Sequence, residues 1–494
     1  MHGELSKTRT DGLRCALAGV TRRAVIQKGL AVTAFISWPI GLWAAGPEFI
    51  SMRTASSARR FTCAAIESTI IAMKTRIADP ILAAMFERCF PNTLDTTVHT
   101  GTFEGKPDTY VVTGDIDAMW LRDSAAQVWP YLQFAKSDSR LKLLIEGLVR
   151  RQARMVLIDP YANAFTRNTS DPPLRWAVHD KTVMAPGVAE RKWEVDSLCY
   201  VVRLAYGYWR NTGDTSPFDA QWKAAAWKII GTFREQQRFG GPGTYSFARM
   251  SFVPFDNPPL DGYGNPASPV GMIYSMFRPS DDACIYPFLI PSNLFAVKAL
   301  EQLREIATQV LSDEKLASAC KDLRGEVRAA LTKYGTCQHP EFGTIWAYEV
   351  DGYGNVLMMD DANAPCLLSL PYLGASELTD PLYQSTRKFA LSSANPYFFK
   401  GTAAEGTGGP HVGLRQIWPL GIILRALTST DDAEIVCCLR WLRDTTAGTG
   451  FMHESFDKDD PQKFTRPWFA WANTLFGELI LKLALTRPGL LRSV

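Results

Sequence analysis

The chain carries ten cysteines but no C-x-x-C pair, and no Cys/His cluster has zinc-finger spacing. Several cysteines sit in apolar helical patterns, as Cys89 does in AAMFERCF and Cys199 in DSLCYVV, so buried free thiols are expected and a zinc site is not. Charge of one sign is also lacking. The net charge is +3, and no basic run is interleaved with aromatics, which removes the electrostatic footprint of a nucleic-acid partner. No Pro- or Ser-rich linker divides the body, and no 34- or 40-residue repeat marks an open solenoid. Period-2 alternation is scarce, with 343–352 and 354–359 the best short strands.

What is present points to helices. Hydrophobic residues make up 46% of the chain and charged residues 21%, ordinary for a globular protein with a large core. Apolar residues recur at i, i+3, i+4 spacing over 63–77, 80–90, 123–136, 141–157, 196–213, 217–237, 292–311, 313–334, 412–428, 432–445 and 467–485. Gly213 stands where a helix C-terminal glycine belongs. About a dozen helices joined by loops rich in Gly, Pro, Asp and aromatics suggest a closed toroid of α-hairpins with its site on one loop face.

The N-terminus reads differently. Residues 21–49 place Arg22 and Arg23 ahead of an apolar run at 29–45, followed by small residues, an order that resembles a twin-arginine secretory signal. The run contains Pro39 and falls short of the ~20 residues of a comfortable membrane span; the alternative is an uncleaved N-terminal anchor. Residues 1–50 are therefore expected to be a signal or anchor and 51–494 one catalytic domain, with the protein exported to the periplasm or beyond.

Six loop segments crowd carboxylates and aromatics where a core would not want them: 113–132, 192–200, 271–293, 348–374, 399–421 and 449–473. In the first, Arg122 and Asp123 beside Trp120 suit a sugar pocket, where charged groups grip vicinal hydroxyls while an indole stacks on the ring. The alternative makes Asp123 or Ser124 a helix N-cap, with Arg122 an ion-pair partner. Capping is likewise a reading of Glu194 and Asp196. Two adjacent pairs, Asp281-Asp282 and Asp360-Asp361, raise a metal reading. The Asp-Asp-x-x-Asp pattern of magnesium sites fails, because position 285 is Ile and position 364 is Ala, and no calcium-loop spacing is present.

Carboxylates far apart in sequence suit glycoside hydrolysis instead, one as acid and one activating water or attacking. The acid must stay protonated near neutral pH, and the apolar IYPFLI stretch after Asp281-Asp282 is expected to raise its pKa. Glu454, between Phe451, Met452, His453 and Phe456, is a plausible distant partner.

Together, GDIDAMWLRDS, KWEVDSLCY, FRPSDDACIYPFLIPSN, MDDANAPCLLSLPYLG, GTGGPHVG and GFMHESF…TRPWFAWAN closely resemble glycoside hydrolase family 125, over about residues 60–485. The resemblance implies an (α/α)6 toroid, an exo-acting α-1,6-mannosidase that inverts configuration, a mannoside glycan as partner, and no metal or other cofactor. It implies a general acid at Asp281, with Asp282 the fallback, and a general base at Glu454. Trp120, Arg122, Asp123 and His411 look like sugar-holding positions. Asp117, Arg278, Asp361, Asn363, His453 and Arg466, from the same six loops, complete the expected substrate contacts. The rivals are another toroidal exo-glycosidase, glucoamylase- or trehalase-like, and a non-catalytic sugar-binding protein on the same fold.

Overall fold

The computed structural model describes residues 53–251 and 253–494; the expected signal or anchor at 1–50 lies outside them. Thirteen α-helices are present among the described residues. They are α1 (Ala64–Arg76), α2 (Pro80–Cys89), α3 (Asn92–Thr96), α4 (Leu121–Val128), α5 (Ser139–Ile158), α6 (Val195–Thr212) and α7 (Ala220–Gln236). They continue with α8 (Ile290–Gln309), α9 (Glu314–Tyr334), α10 (Pro381–Ala390), α11 (Pro419–Leu427), α12 (Asp432–Asp444) and α13 (Ala470–Thr486).

The ring follows from which helices touch. Helix α4 packs on α6, α6 on α8, and α11 on α13, while α13 returns to pack on α2, α3 and α4 near the start of the chain. A second, outer set runs beside it, with α5 against α7 and α7 against α9. The chain thus alternates outer and inner elements, α2/α4, α5/α6, α7/α8, α9 with the turn-rich segment 362–374, α10/α11 and α12/α13, which is the (α/α)6 toroid. All of α4 and most of α6, α11 and α13 are buried, as expected of helices covered on both sides.

The two sets begin in different ways. Every outer helix of the six pairs starts at an aspartate whose carboxylate accepts backbone N–H bonds of the first turn: Asp79, Asp138, Asp219, Asp313, Asp380 and Asp431. The inner helices α4, α6, α8, α11 and α13 start at Trp120, Glu194, Leu289, Trp418 and Phe469, none with a side-chain cap. All five are entered from a three-stranded scrap of sheet. Trp120 ends the strand Met119–Trp120, Val188–Glu190 of the same sheet precedes α6, Leu289 ends the strand Phe288–Leu289, Gln416–Ile417 pairs with Ser455–Asp457 ahead of α11, and Ser455–Asp457 pairs in turn with Phe464–Thr465 ahead of α13. The six loops marked in the sequence each lead into one inner element, so the toroid gathers them at the inner N-terminal ends.

Most expected helices form within a few residues of their expected bounds, and Gly213 takes the left-handed conformation (φ 72°) at the end of α6. Three differences have local causes. The helix expected over 412–428 begins only at Pro419, because Gly413 (φ 87°) and Arg415 (φ 71°) are left-handed and Gln416–Ile417 is drawn into a strand. The helix expected over 123–136 tightens to a 3-10 turn at Trp129–Phe134, where Pro130 sits. A hairpin of Val98–Phe103 and Lys106–Val111 was not expected; Glu104 and Gly105, both at positive φ, supply its two-residue turn. Nine cysteines are described and all are free, seven of them buried.

Candidate active site

Arg122 lies one residue inside α4 and is almost fully buried, so its charge needs compensation, and four carboxylates supply it. Its Nη1 donates to Glu194 Oε2 at 2.5 Å and lies 3.5 Å from Asp196 Oδ2; Nε is 3.4 Å from Asp123 Oδ2, and Nη2 is 3.5 Å from Asp281 Oδ1. One guanidinium cannot keep four desolvated carboxylates ionised. Burial, opposed by Arg122, therefore pushes Asp123 and Asp196 up to about 6 and Glu194 well above the usual range. Neither Asp123 nor Glu194 caps a helix with its side chain. Asp123 is in the first turn of α4, and Glu194 occupies the N-cap position of α6 but takes its bonds from Arg122 and from Ser197 Oγ (2.9 Å).

Asp281 stands apart from its carboxylate neighbours. Burial would raise its pKa, but Arg122 and then Lys192 more than offset that and hold it well below the ordinary carboxylate range. The expected apolar surroundings are not there. Phe288, Leu289 and Ile290 turn away into the strand Phe288–Leu289 and α8 and join the core, while Asp281 meets Arg122, Asn163 (Nδ2 to Oδ1, 3.2 Å), Glu194 and Lys192, whose Nζ donates to the Asp281 carbonyl at 2.6 Å. Sequence neighbours and spatial neighbours differ here, and the raised pKa falls on Glu194 instead. The Asp281 backbone is left-handed (φ 65°), which costs roughly 1 kcal/mol and is tolerated best by Gly, Asn and Asp. Its side chain is 22% exposed, whereas that of Asp282 is 0% exposed.

Asp282 points into a second group. Its Oδ1 is 3.0 Å from His411 Nδ1, and its Oδ2 accepts from Ser280 Oγ at 3.2 Å. Asp361 borders this group, with Gly409 close enough that an added Cβ would stand 3.0 Å from Asp361 Oδ1. Burial raises the Asp361 carboxyl, with Asp282 adding to it. The Asn363 backbone N–H donates to Asp361 Oδ1 (3.0 Å), and the Asn363 side chain packs at the same oxygen. Asp360, its sequence neighbour, is structural: it accepts from the N–H groups of Leu367 and Leu368, and burial lifts it to about 8. Arg278 braces the loop rather than opening to it. Its Nε donates to Glu349 (2.6 Å), which in turn accepts from the N–H groups of Ile285 and Tyr286.

Glu454 belongs to a third group. Arg466 Nη1 donates to its Oε1 at 3.2 Å, and Arg466 also binds Asp115. The buried His453 ring stacks on Phe464 at 3.9 Å between centroids, its Nδ1 3.2 Å from the Arg466 carbonyl; burial lowers its pKa. The third group meets the first at Asp123, whose carboxyl senses both Asp281 and Arg466. Asp117 is the expected residue that the fold does not bring in: its side chain is 79% exposed, with only Arg167 at 3.8 Å.

Several buried polar atoms here have no hydrogen-bond partner among the described residues: Trp120 Nε1, Asp123 Oδ2, Asp361 Oδ2 and His453 Nε2. Each would cost about 1–3 kcal/mol if left unpaired, so a hydroxyl-rich ligand suits them. Among the described residues no group of three or more His, Cys, Asp or Glu side chains is arranged to hold a metal ion. Asn163, Glu190 and Lys192 were not expected. Asn163 bridges Glu190 Oε2 and Asp281 Oδ1, and accepts the Lys192 N–H. Lys192 had a sequence signal, a lysine directly before the Trp-Glu-Val-Asp stretch, but Asn163 in PYANAF had none.

Comparison with known proteins agrees with this picture. A family model described as metal-independent alpha-mannosidase (GH125) matches residues 79–481. The meiotically up-regulated gene 157 protein of Schizosaccharomyces pombe is 44% identical over 461 residues, 89% of each chain. Among solved structures, a metal-independent α-mannosidase of Streptococcus pneumoniae, in a non-productive complex with α-1,6-mannobiose, superposes with a TM-score of 0.83 at 41% identity. That likeness covers 87% of this chain and 100% of the other.

Proposed function

Since the chain belongs to glycoside hydrolase family 125 and is an α-mannosidase, we propose that it removes terminal non-reducing mannose from α-1,6-linked mannosides, with inversion. The observation that carries this reading is the likeness to the S. pneumoniae enzyme, held with α-1,6-mannobiose and 41% identical. The site chemistry supports it. Asp281, the more exposed of the adjacent aspartates, protonates the glycosidic oxygen as the bond to the anomeric carbon breaks. Glu454, oriented by Arg466, takes a proton from the water that attacks that carbon from the opposite face. In a productive complex the two carboxyls stand about 6.5–9.5 Å apart, leaving room for the water. Asp282 and His411 hold the loop behind the acid. Trp120, Asp123, Asp361 and His453 offer their unpartnered atoms to the sugar hydroxyls.

A substrate panel tests the reading. With α-1,6-, α-1,2- and α-1,3-mannobiose and the α-1,6-linked glucose disaccharide, only the first is expected to be cleaved efficiently. Comparable rates on all three mannobioses, or faster cleavage of the glucoside, would contradict it.

A further inference from the structure

Glu194 has no place in the mechanism above, yet it is a fully enclosed carboxyl at the centre of the site. Its side chain is 0% exposed. Oε2 accepts from Arg122 and Ser197, while Oε1 receives no bond from any N–H or O–H donor among the described residues. Arg122 sets a second carboxyl beside it: Nη1 binds Glu194 Oε2 at 2.5 Å while Nη2 of the same guanidinium lies 3.5 Å from Asp281 Oδ1, and the two carboxyls act directly on one another. Two carboxylate oxygens in that relation repel unless a proton lies between them.

Resting on the assignment of Asp281 as the acid, we infer that Glu194 is the proton-sharing partner of the general acid: one proton is held between the two carboxyls and reaches the leaving oxygen through Asp281. The surrounding charges support this arrangement. From α4 come Arg122 and Asp123, from the strand and loop before α6 Glu190 and Lys192, from α6 itself Asp196, and from the loop before α11 His411. Arg122 and Lys192 favour an ionised Asp281, while burial favours a neutral Glu194.

The arrangement answers a difficulty in the mechanism. An aspartate held ionised beside Arg122 and Lys192 is a poor acid alone, but the pair carries the proton and titrates as a unit. On bond cleavage the shared proton passes through Asp281 to the departing oxygen, forming its O–H bond and leaving both carboxyls ionised. Glu454 has meanwhile taken one proton from the attacking water, so the total is conserved, and exchange with solvent resets both. Glu194 acts only through Asp281 and is a positioning residue.

The pair must be protonated for turnover, so activity falls as pH rises through its apparent pKa. Glu194→Gln keeps acceptor and size, and its amide donates to Asp281, favouring the ionised form. The alkaline limb of kcat/KM on α-1,6-mannobiose is then expected to move about 1–3 pH units toward acid, with activity recovered at lower pH. On α-mannosyl fluoride, whose leaving group needs no proton, the variant is expected to match the wild type within a few-fold. Ser197→Ala, which removes a donor to Glu194 with little change in packing, is expected to move the limb the other way. Infrared spectra of the substrate-free wild type at neutral pH are expected to show a protonated-carboxyl band that Glu194→Gln removes. Superimposable pH profiles, a loss equal at every pH and on both substrates, or no change in that band would overturn the inference. A wild type inactive on all α-mannosides that still shows the Glu194-dependent band would sink the functional reading and leave the shared proton standing.

Discussion

Glu454→Gln is expected to lower kcat on α-1,6-mannobiose by about 10²–10⁴-fold while changing the affinity for the disaccharide only slightly. The amide oxygen still accepts the Arg466 Nη1–H bond that Glu454 Oε1 now takes, and Arg466 keeps Asp115, so the loop ahead of α13 retains its shape. What disappears is a group able to take a proton from water. Because the missing step is activation of the nucleophile, a small anion that needs no deprotonation should restore turnover. With azide and α-mannosyl fluoride the variant is expected to form β-mannosyl azide. Near-normal kcat on mannobiose, or no azide product, would remove Glu454 from the role of base. Calorimetric titration together with steady-state kinetics separates the binding and turnover effects.

The second large effect distinguishes Asp281 from Asp282. Asp281→Asn is expected to cost about 10²–10⁴-fold on α-1,6-mannobiose and little on α-mannosyl fluoride. Asparagine tolerates the left-handed backbone at this position, and its oxygen still accepts from Asn163 and Arg122, so the fold survives and only the proton is lost. Asp282→Asn is expected to behave differently. The Asp282 carboxyl is buried between His411 and Ser280, so an amide there leaves one partner poorly satisfied. The expected result is a lower Tm, a destabilisation of about 1–3 kcal/mol, and similar proportional losses on both substrates. If Asp282→Asn instead showed the leaving-group dependence and Asp281→Asn did not, the acid would be Asp282.

Much of the toroid was legible because its helices are long and strongly periodic. The outer helices α2, α5, α7, α9 and α12 fall in the expected periodic stretches, whereas the ten-residue α10 was not expected; the inner ones show stretches apolar on nearly every side, as in PLGIILRAL at α11. The strands Gly343–Trp346, Glu349–Val350 and Val356–Leu357 fall within the expected 343–352 and 354–359, but partners such as Phe288–Leu289 were not legible, because two residues that pair with a segment distant in sequence leave no local alternation. The site was legible as six loops, since each sets carboxylates against aromatics ahead of an inner element. Its electrostatics were not. The apolar residues following Asp281 suggested a raised pKa, but the fold sends them into the core and brings up Arg122 and Lys192 from elsewhere, so Asp281 is held low while burial pushes the neighbouring Glu194 up. Sequence-local reasoning about caps failed for the same reason: the Glu194 carboxyl has Arg122 to bind and does not turn back on its own helix.

The proposed single displacement by water activated at Glu454 is tested most directly by the anomeric form of the mannose first released. Proton NMR that follows hydrolysis of α-1,6-mannobiose faster than mutarotation is expected to show β-mannose appearing first, with α-mannose growing in only later. Initial release of α-mannose would contradict the account, because it requires two displacements and a covalent intermediate that this arrangement of acid and base does not use.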